Sequence, residues 1–115
     1  MIKKILPFLL ITVPLLFLLA SCVLPGTGTL RIRNEMTACR RITALYLYEQ
    51  GEPDKGSSII SSPLCPNESH TEMGVQPGDY IIEAEIDNGV ETAIVYKTVE
   101  AGTYYVVNIY DSDIL

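Results

Sequence analysis

Tryptophan is absent from this chain of 115 residues, and histidine occurs once, at position 70. A Ser-His-acid triad needs an imidazole that meets its serine in space. Ser69 is adjacent to His70, and neighbours in an extended segment point to opposite faces. No catalytic residue is assigned on this basis. Basic residues are also scarce, with 8 Lys and Arg against 14 Asp and Glu and a net charge of −6. That balance argues against nucleic acid and against anionic lipid surfaces as partners. The three cysteines, Cys22, Cys39 and Cys65, form no CxxC pair, so no zinc set assembles with His70. There are no heptads, low-complexity tracts or D-x-D-x-D-G calcium loop. Gly26-Thr27-Gly28 has neither a strand before it nor a helix after it, so it is no nucleotide loop. No metal and no cofactor is expected.

The chain opens instead with a patterned N-terminus. Lys3 and Lys4 precede an apolar run from residue 5 to residue 20, closed by small residues. A basic head, an apolar stretch and small residues make a secretory signal. A transmembrane helix needs about 20 apolar residues, and this run is shorter and carries Pro7 and Pro14. Leu19-Ala20-Ser21-Cys22 resembles the lipobox of bacterial lipoproteins. The resemblance implies a diacylglycerol on the Cys22 sulfur, cleavage before Cys22, and acylation of the new amino group. One acyl chain holds a protein marginally, whereas two or three hold it firmly.

The expected organisation is a signal peptide over 1–21, a lipidated tether over 22–28, and a folded domain over 29–115. Processing removes both N-terminal lysines. Six basic residues then face 14 acids, a net charge of −8. Extended, the tether spans about 20 Å at about 3.4 Å per residue, so the domain sits close to its membrane. Val23 is not the Asp that retains lipoproteins in the inner membrane of enteric bacteria, and the outer membrane is favoured. In that oxidising space Cys39 and Cys65 are expected to pair. A metal pair and a reactive thiol are the alternatives.

Short segments of period two, bounded by turn residues, fill the rest of the chain. They are expected at residues 29–34, 42–48, 57–62, 69–75, 80–86, 90–98 and 104–110. Leu30 and Ile32 alternate with Arg31 and Arg33. Tyr80, Ile82, Ala84 and Ile86 face inward, with Glu83 and Glu85 outward. Segments 42–48 and 104–110 are apolar on both faces and read as central strands. Pro77-Gly78 and Asn88-Gly89 mark turns, the latter a hairpin. Six or seven strands without a helical crossover predict an all-β fold, an antiparallel sandwich of immunoglobulin-like or transthyretin-like type. A small closed barrel is the alternative.

Pro77-Gly78-Asp79-Tyr80 and Ala101-Gly102-Thr103-Tyr104 share the form x-G-x-Y at the start of a strand. A tyrosine there can form a corner, packing its ring inward and bonding its hydroxyl to upstream backbone. The order TLRIRNEMTACRRITALYLY, VQPGDYIIEAEIDNG, EAGTYYVVNI resembles a loose group of small secreted bacterial β-sandwich domains. It implies the fold, and no function or site residues. Members of that group often carry a Trp in the middle loop. Here Cys39 and Cys65 lie in that region.

The candidate binding residues are Arg40 and Arg41, with Arg31 and Arg33 nearby in sequence, and the aromatic pair Tyr46 and Tyr48. Glu83 and Glu85 stand about 7 Å apart along one strand face, the ordinary pattern of a solvated face. Asp87, Asn88, Asp111 and Asp113 could offer oxygens to calcium. The resulting expectation is a non-enzymatic lipoprotein, anchored through Cys22. It binds or assembles with an envelope protein partner through sheet edges and loops. Carbohydrate or envelope-polymer binding through exposed tyrosines is the alternative, and a hydrolase is a third.

Overall fold

The computed structural model describes residues 26–115. The signal segment, Cys22 and the lipobox lie outside the described residues. Six strands follow in order: β1 (Gly28–Asn34), β2 (Ile42–Glu49), β3 (Ser69–Val75), β4 (Gly78–Ile86), β5 (Glu91–Val99) and β6 (Tyr104–Ile109), with a 3-10 turn at Asp111–Asp113. They form two three-stranded sheets, ordered β3-β1-β6 and β2-β4-β5.

The faces are those that alternation predicts. Leu30 and Ile32 of β1 and Tyr80, Ile82, Ala84 and Ile86 of β4 are buried, and they join Leu45, Ala93, Val99, Val107 and Ile109 in a single apolar cluster. One core is thus drawn from both sheets. Burial of this apolar surface is the main favourable term in folding.

Several expectations are corrected. The sheet β3-β1-β6 is mixed, because β1 pairs antiparallel with β3 but parallel with β6. Both β1 and β6 start at the same end, where the Thr29 amide donates to the Thr103 carbonyl at 3.0 Å and the Gly102 amide to the Thr27 carbonyl at 2.8 Å. Gly28 is buried there. A Cβ on it would lie 2.5 Å from Val99 Cγ1 and 3.0 Å from the Glu100 carbonyl oxygen, so glycine is what lets β1 pass under the β5–β6 turn. The two strands apolar on both faces, β2 and β6, are edges, and the central positions belong to β1 and β4.

Residues 57–62 form no strand. Instead they line the edge of β2: the Leu45 amide donates to Ser58 Oγ at 3.0 Å, and the Ile59 amide donates to the Leu45 carbonyl at 2.8 Å. Half of that pairing is made by a side chain, which cannot propagate a ladder. The β4–β5 hairpin does turn at Asn88 and Gly89, with Asp87 added: the three take positive φ of 50°, 60° and 89°. The Val90 amide donates to the Asp87 carbonyl at 3.4 Å, and the Gly89 amide to the Ile86 carbonyl at 3.1 Å.

Tyr80 forms the anticipated corner, its hydroxyl donating to the Gln76 carbonyl at 2.6 Å. Tyr104 does not. It points outward, 44% exposed, and the neighbouring Tyr105 is the one whose hydroxyl accepts from the Glu100 amide at 3.3 Å. Register decides this, since Leu30 of the inward row pairs with Tyr105.

The molecule therefore has two ends. Thr27 and Gly28 lie with the β5–β6 turn at the end where the chain emerges from the N-terminal segment. At the far end, the Asn34 side chain gathers two loops. Its Nδ2 donates to the carbonyls of Arg40 and Leu64, both at 2.9 Å, and its Oδ1 accepts from the Met36 amide at 2.9 Å.

Candidate functional site

The outer face of the sheet β2-β4-β5 carries the aromatic pair singled out by the sequence. Strand β2 presents Ala44, Tyr46 and Tyr48 outward, because Leu45 and Leu47 turn to the core. Register places Tyr46 beside Glu83 and Ile94, and Tyr48 beside Ile81 and Tyr96. Tyr96 is 64% exposed. The Tyr48 hydroxyl donates to Glu83 Oε1 at 3.0 Å. Lys55, from the loop after β2, folds over this face. Its Nζ lies 4.2 Å from the Tyr46 ring centroid, 2.7 Å from Glu83 Oε2 and 3.5 Å from Glu85 Oε1.

The electrostatics follow from that contact. The Lys55 hydrogen bond, opposed by burial and helped by Tyr48, holds the Glu83 carboxyl below its ordinary range. Burial first, and then the bond to Glu83, pushes the Tyr48 phenol upward. At neutral pH Glu83 is therefore ionised and the Tyr48 phenol keeps its proton. A glycosidase acid needs its carboxyl raised, and Glu83 is shifted the other way.

The arginines do not gather. Arg31 donates to Ser69 Oγ at 3.0 Å and Arg33 pairs with Glu35, both on the sheet β3-β1-β6. Arg40, at the far end, binds Asp111 at 2.7 Å and Glu91 at 3.3 Å. Asp111 also accepts from the Thr37 hydroxyl at 2.6 Å and the Thr37 amide at 3.1 Å. Those Thr37 bonds, with Arg40 behind them, hold the Asp111 carboxyl below its usual range. Arg40 thus ties the C-terminal turn to the loop after β1 and is committed to structure. Arg41 is exposed, with its amide on Asp87 Oδ1 at 3.3 Å. Among the described residues no three His, Cys, Asp or Glu side chains converge as a metal site, and Asp87 stands apart from Asp111 and Asp113 in its contacts.

The expected Cys39–Cys65 bridge is not formed in this structure, where both are exposed free thiols. The Cys65 amide donates to Glu68 Oε1 at 2.7 Å, and the nearness of that carboxyl, with desolvation, pushes the thiol pKa up. Cys39 is presented by two consecutive left-handed residues, Ala38 and Cys39 itself, at φ 58° and 56°. The two cysteines flank the loop segments that Asn34 holds together.

The sheet edges differ in protection. The edge of β2 is lined by residues 58–64, including the Ile42–Leu64 bridge, and that of β5 by Ile114 and Leu115. Edge β3 turns the acidic Glu72 inward, in the row of Leu30 and Ile32, where its Oε1 lies 3.3 Å from His70 Nε2. Inward charge is a standard way to blunt an edge. Strand β6, Tyr104–Ile109, has no charge, proline or glycine. Its outer side meets no other strand among the described residues. Val106 there is 53% exposed.

Sequence reasoning missed Tyr96 and Lys55. Alternation put Tyr96 on a face with Val90, Thr92 and Ile94, but only strand order sets β5 across β4 from Tyr48. Lys55 sits in a turn cluster, which carries no signal of where its side chain reaches. No family model, no curated protein and no solved structure matches the chain.

Proposed function

We propose that this chain is a bacterial envelope lipoprotein, anchored through lipid on Cys22, whose small β-sandwich is a non-enzymatic binding module. Its partner is an envelope protein that adds an extended strand to the free edge of β6. The open β6 edge carries this reading. Three edges are lined by chain or blunted by an inward acidic residue, whereas the outer backbone groups of β6 meet no strand among the described residues and lie beside the exposed Val106 and Tyr104. Strand addition draws affinity from such backbone groups and selectivity from alternate side chains. Among the described residues there is no enclosed pocket for a small substrate, and Lys55 keeps Glu83 ionised.

Two measurements test the reading. The intact mass of the protein extracted from bacterial membranes is expected to begin at Cys22 and to carry two or three acyl chains. A mass without lipid removes the anchor. A photo-crosslinking amino acid at position 106, in intact cells, is expected to join the chain to one envelope protein. Asn108→Lys, which places charge on the same edge, should weaken that adduct. Adducts of equal strength from position 71, on the opposite edge strand, or adducts only to a second copy of the chain, would remove strand addition by a different protein.

A further inference from the structure

The sheet face opposite the β3-β1-β6 layer has a composition that the edge does not use. Tyr48 and Tyr96 stand in one row across β2, β4 and β5, flanking Ile81. Strand spacing sets their backbone positions about 10 Å apart. In the next row, Tyr46 and Glu83 are capped by Lys55. The hydroxyls of Tyr46 and Tyr96 make no hydrogen bond among the described residues. Aromatic rings, free phenol donors and a fixed carboxylate therefore share one sheet face.

We propose that this face binds an uncharged, β-linked glycan chain. Pyranose rings expose C–H groups on their faces and hydroxyls at their rims. Tyrosine matches both, since it joins an apolar ring to a polar tip. Alternate sugars of a β-1,4-linked chain present the same face, and the Tyr48–Tyr96 spacing suits two such sugars on either side of Ile81. Rim hydroxyls donate to Glu83 and accept from Lys55 and the free phenols. Hydrogen bonds to charged groups are stronger than neutral ones. No cavity opens on this face among the described residues, which favours a polymer laid across it over a monosaccharide enclosed in a pocket. The acidity of the chain, with a net charge of −6 even before any processing, repels acidic and phosphorylated glycans and so selects an uncharged one. Placement of such a glycan within reach rests on the envelope reading above, while the surface chemistry does not.

The test uses full-length protein in detergent and a soluble β-1,4-linked N-acetylglucosamine hexamer. Binding is expected by titration calorimetry, with NMR shifts confined to the outer face of β2, β4 and β5. Tyr96→Ala and Tyr48→Ala should each weaken it at least tenfold, and Met73→Ala, at an exposed position of β3 on the other sheet, should leave it unchanged. Thermal melting guards against misfolding, and Tyr96→Phe separates stacking from the hydroxyl by retaining most of the affinity. Absence of binding by the wild-type chain, or binding that survives the Tyr48→Ala/Tyr96→Ala double variant, overturns the proposal. Neither result touches crosslinking at position 106, which reports on the β6 edge separately.

Discussion

The Tyr80 hydroxyl donates to the Gln76 carbonyl at 2.6 Å, closing the turn through Pro77 and Gly78 from inside. Its ring is buried at the start of β4, so one side chain ties the β3–β4 turn to the core. Tyr80→Phe keeps the ring and loses the bond, which should lower unfolding free energy by about 1 kcal/mol. Tyr80→Ala also leaves a cavity and should cost about 3–5 kcal/mol. Chemical denaturation of both variants checks this, and equal losses would show that the hydroxyl alone carries the effect.

Asn34 is fully buried and serves three backbone groups, the carbonyls of Arg40 and Leu64 and the amide of Met36. Asn34→Leu strands all three, at a cost of about 1–3 kcal/mol for each group that water cannot reach. Asn34→Asp keeps the acceptor for Met36 but turns a carboxylate toward two carbonyl oxygens. It should destabilise strongly at neutral pH and recover as the pH falls. A melting temperature for Asn34→Asp that does not rise on acidification would contradict this account.

Glu83 titrates below its ordinary value of 4.5 because Lys55 bonds the ionised form. A carboxylate depressed in the folded state contributes stability above its unfolded value, and that contribution is lost as pH falls through the folded value. Stability should therefore decline on acidification below about pH 4.5, and Lys55→Met should flatten the decline. Melting curves between about pH 7 and pH 3 for wild type, Lys55→Met and Glu83→Gln read this directly. Asp111 shifts in the same direction and remains as a common background, so the difference between the curves isolates Glu83.

Cys39 and Cys65 are free in this structure but flank segments joined through Asn34. The envelope location proposed above would put them in an oxidising space, where they are expected to form a disulfide. Each thiol gives up its proton, and the two electrons pass to the disulfide of an envelope thiol oxidase. The bridge should add about 3–4 kcal/mol, by restricting the unfolded chain. Mass spectrometry after alkylation, with and without prior reduction, should find no free thiol on Cys39 or Cys65 until reductant is added. Two alkylated cysteines in unreduced protein taken directly from cells would exclude the bridge.

Much of each strand was readable locally. The outward glutamates of β4 and the inward row from Tyr80 to Ile86 follow from period two, which depends only on neighbouring residues. The corner at Tyr80 was readable for the same reason, since its partner lies four residues away. Tyr104 was misread because the x-G-x-Y form does not say which of two adjacent tyrosines turns inward, and that depends on the register with β1. Residues 57–62 were misread as a strand on the strength of Ile59 and Ile60 alone, adjacent residues without true alternation, while their partner, Leu45, is met half through a serine side chain.

The sequence by itself determined the six strands, the turns between them and the inward rows of β1 and β4, because steric limits on backbone angles and the pleat act over a few residues. Only the tertiary structure decided that β1 and β6 run parallel, that the doubly apolar strands lie at edges, which of Tyr104 and Tyr105 turns inward, and that Tyr96 shares a row with Tyr48 beside the row that Lys55 caps. Those relations join residues distant in sequence. Their pairing is selected by the burial of one common core, and no local pattern records it.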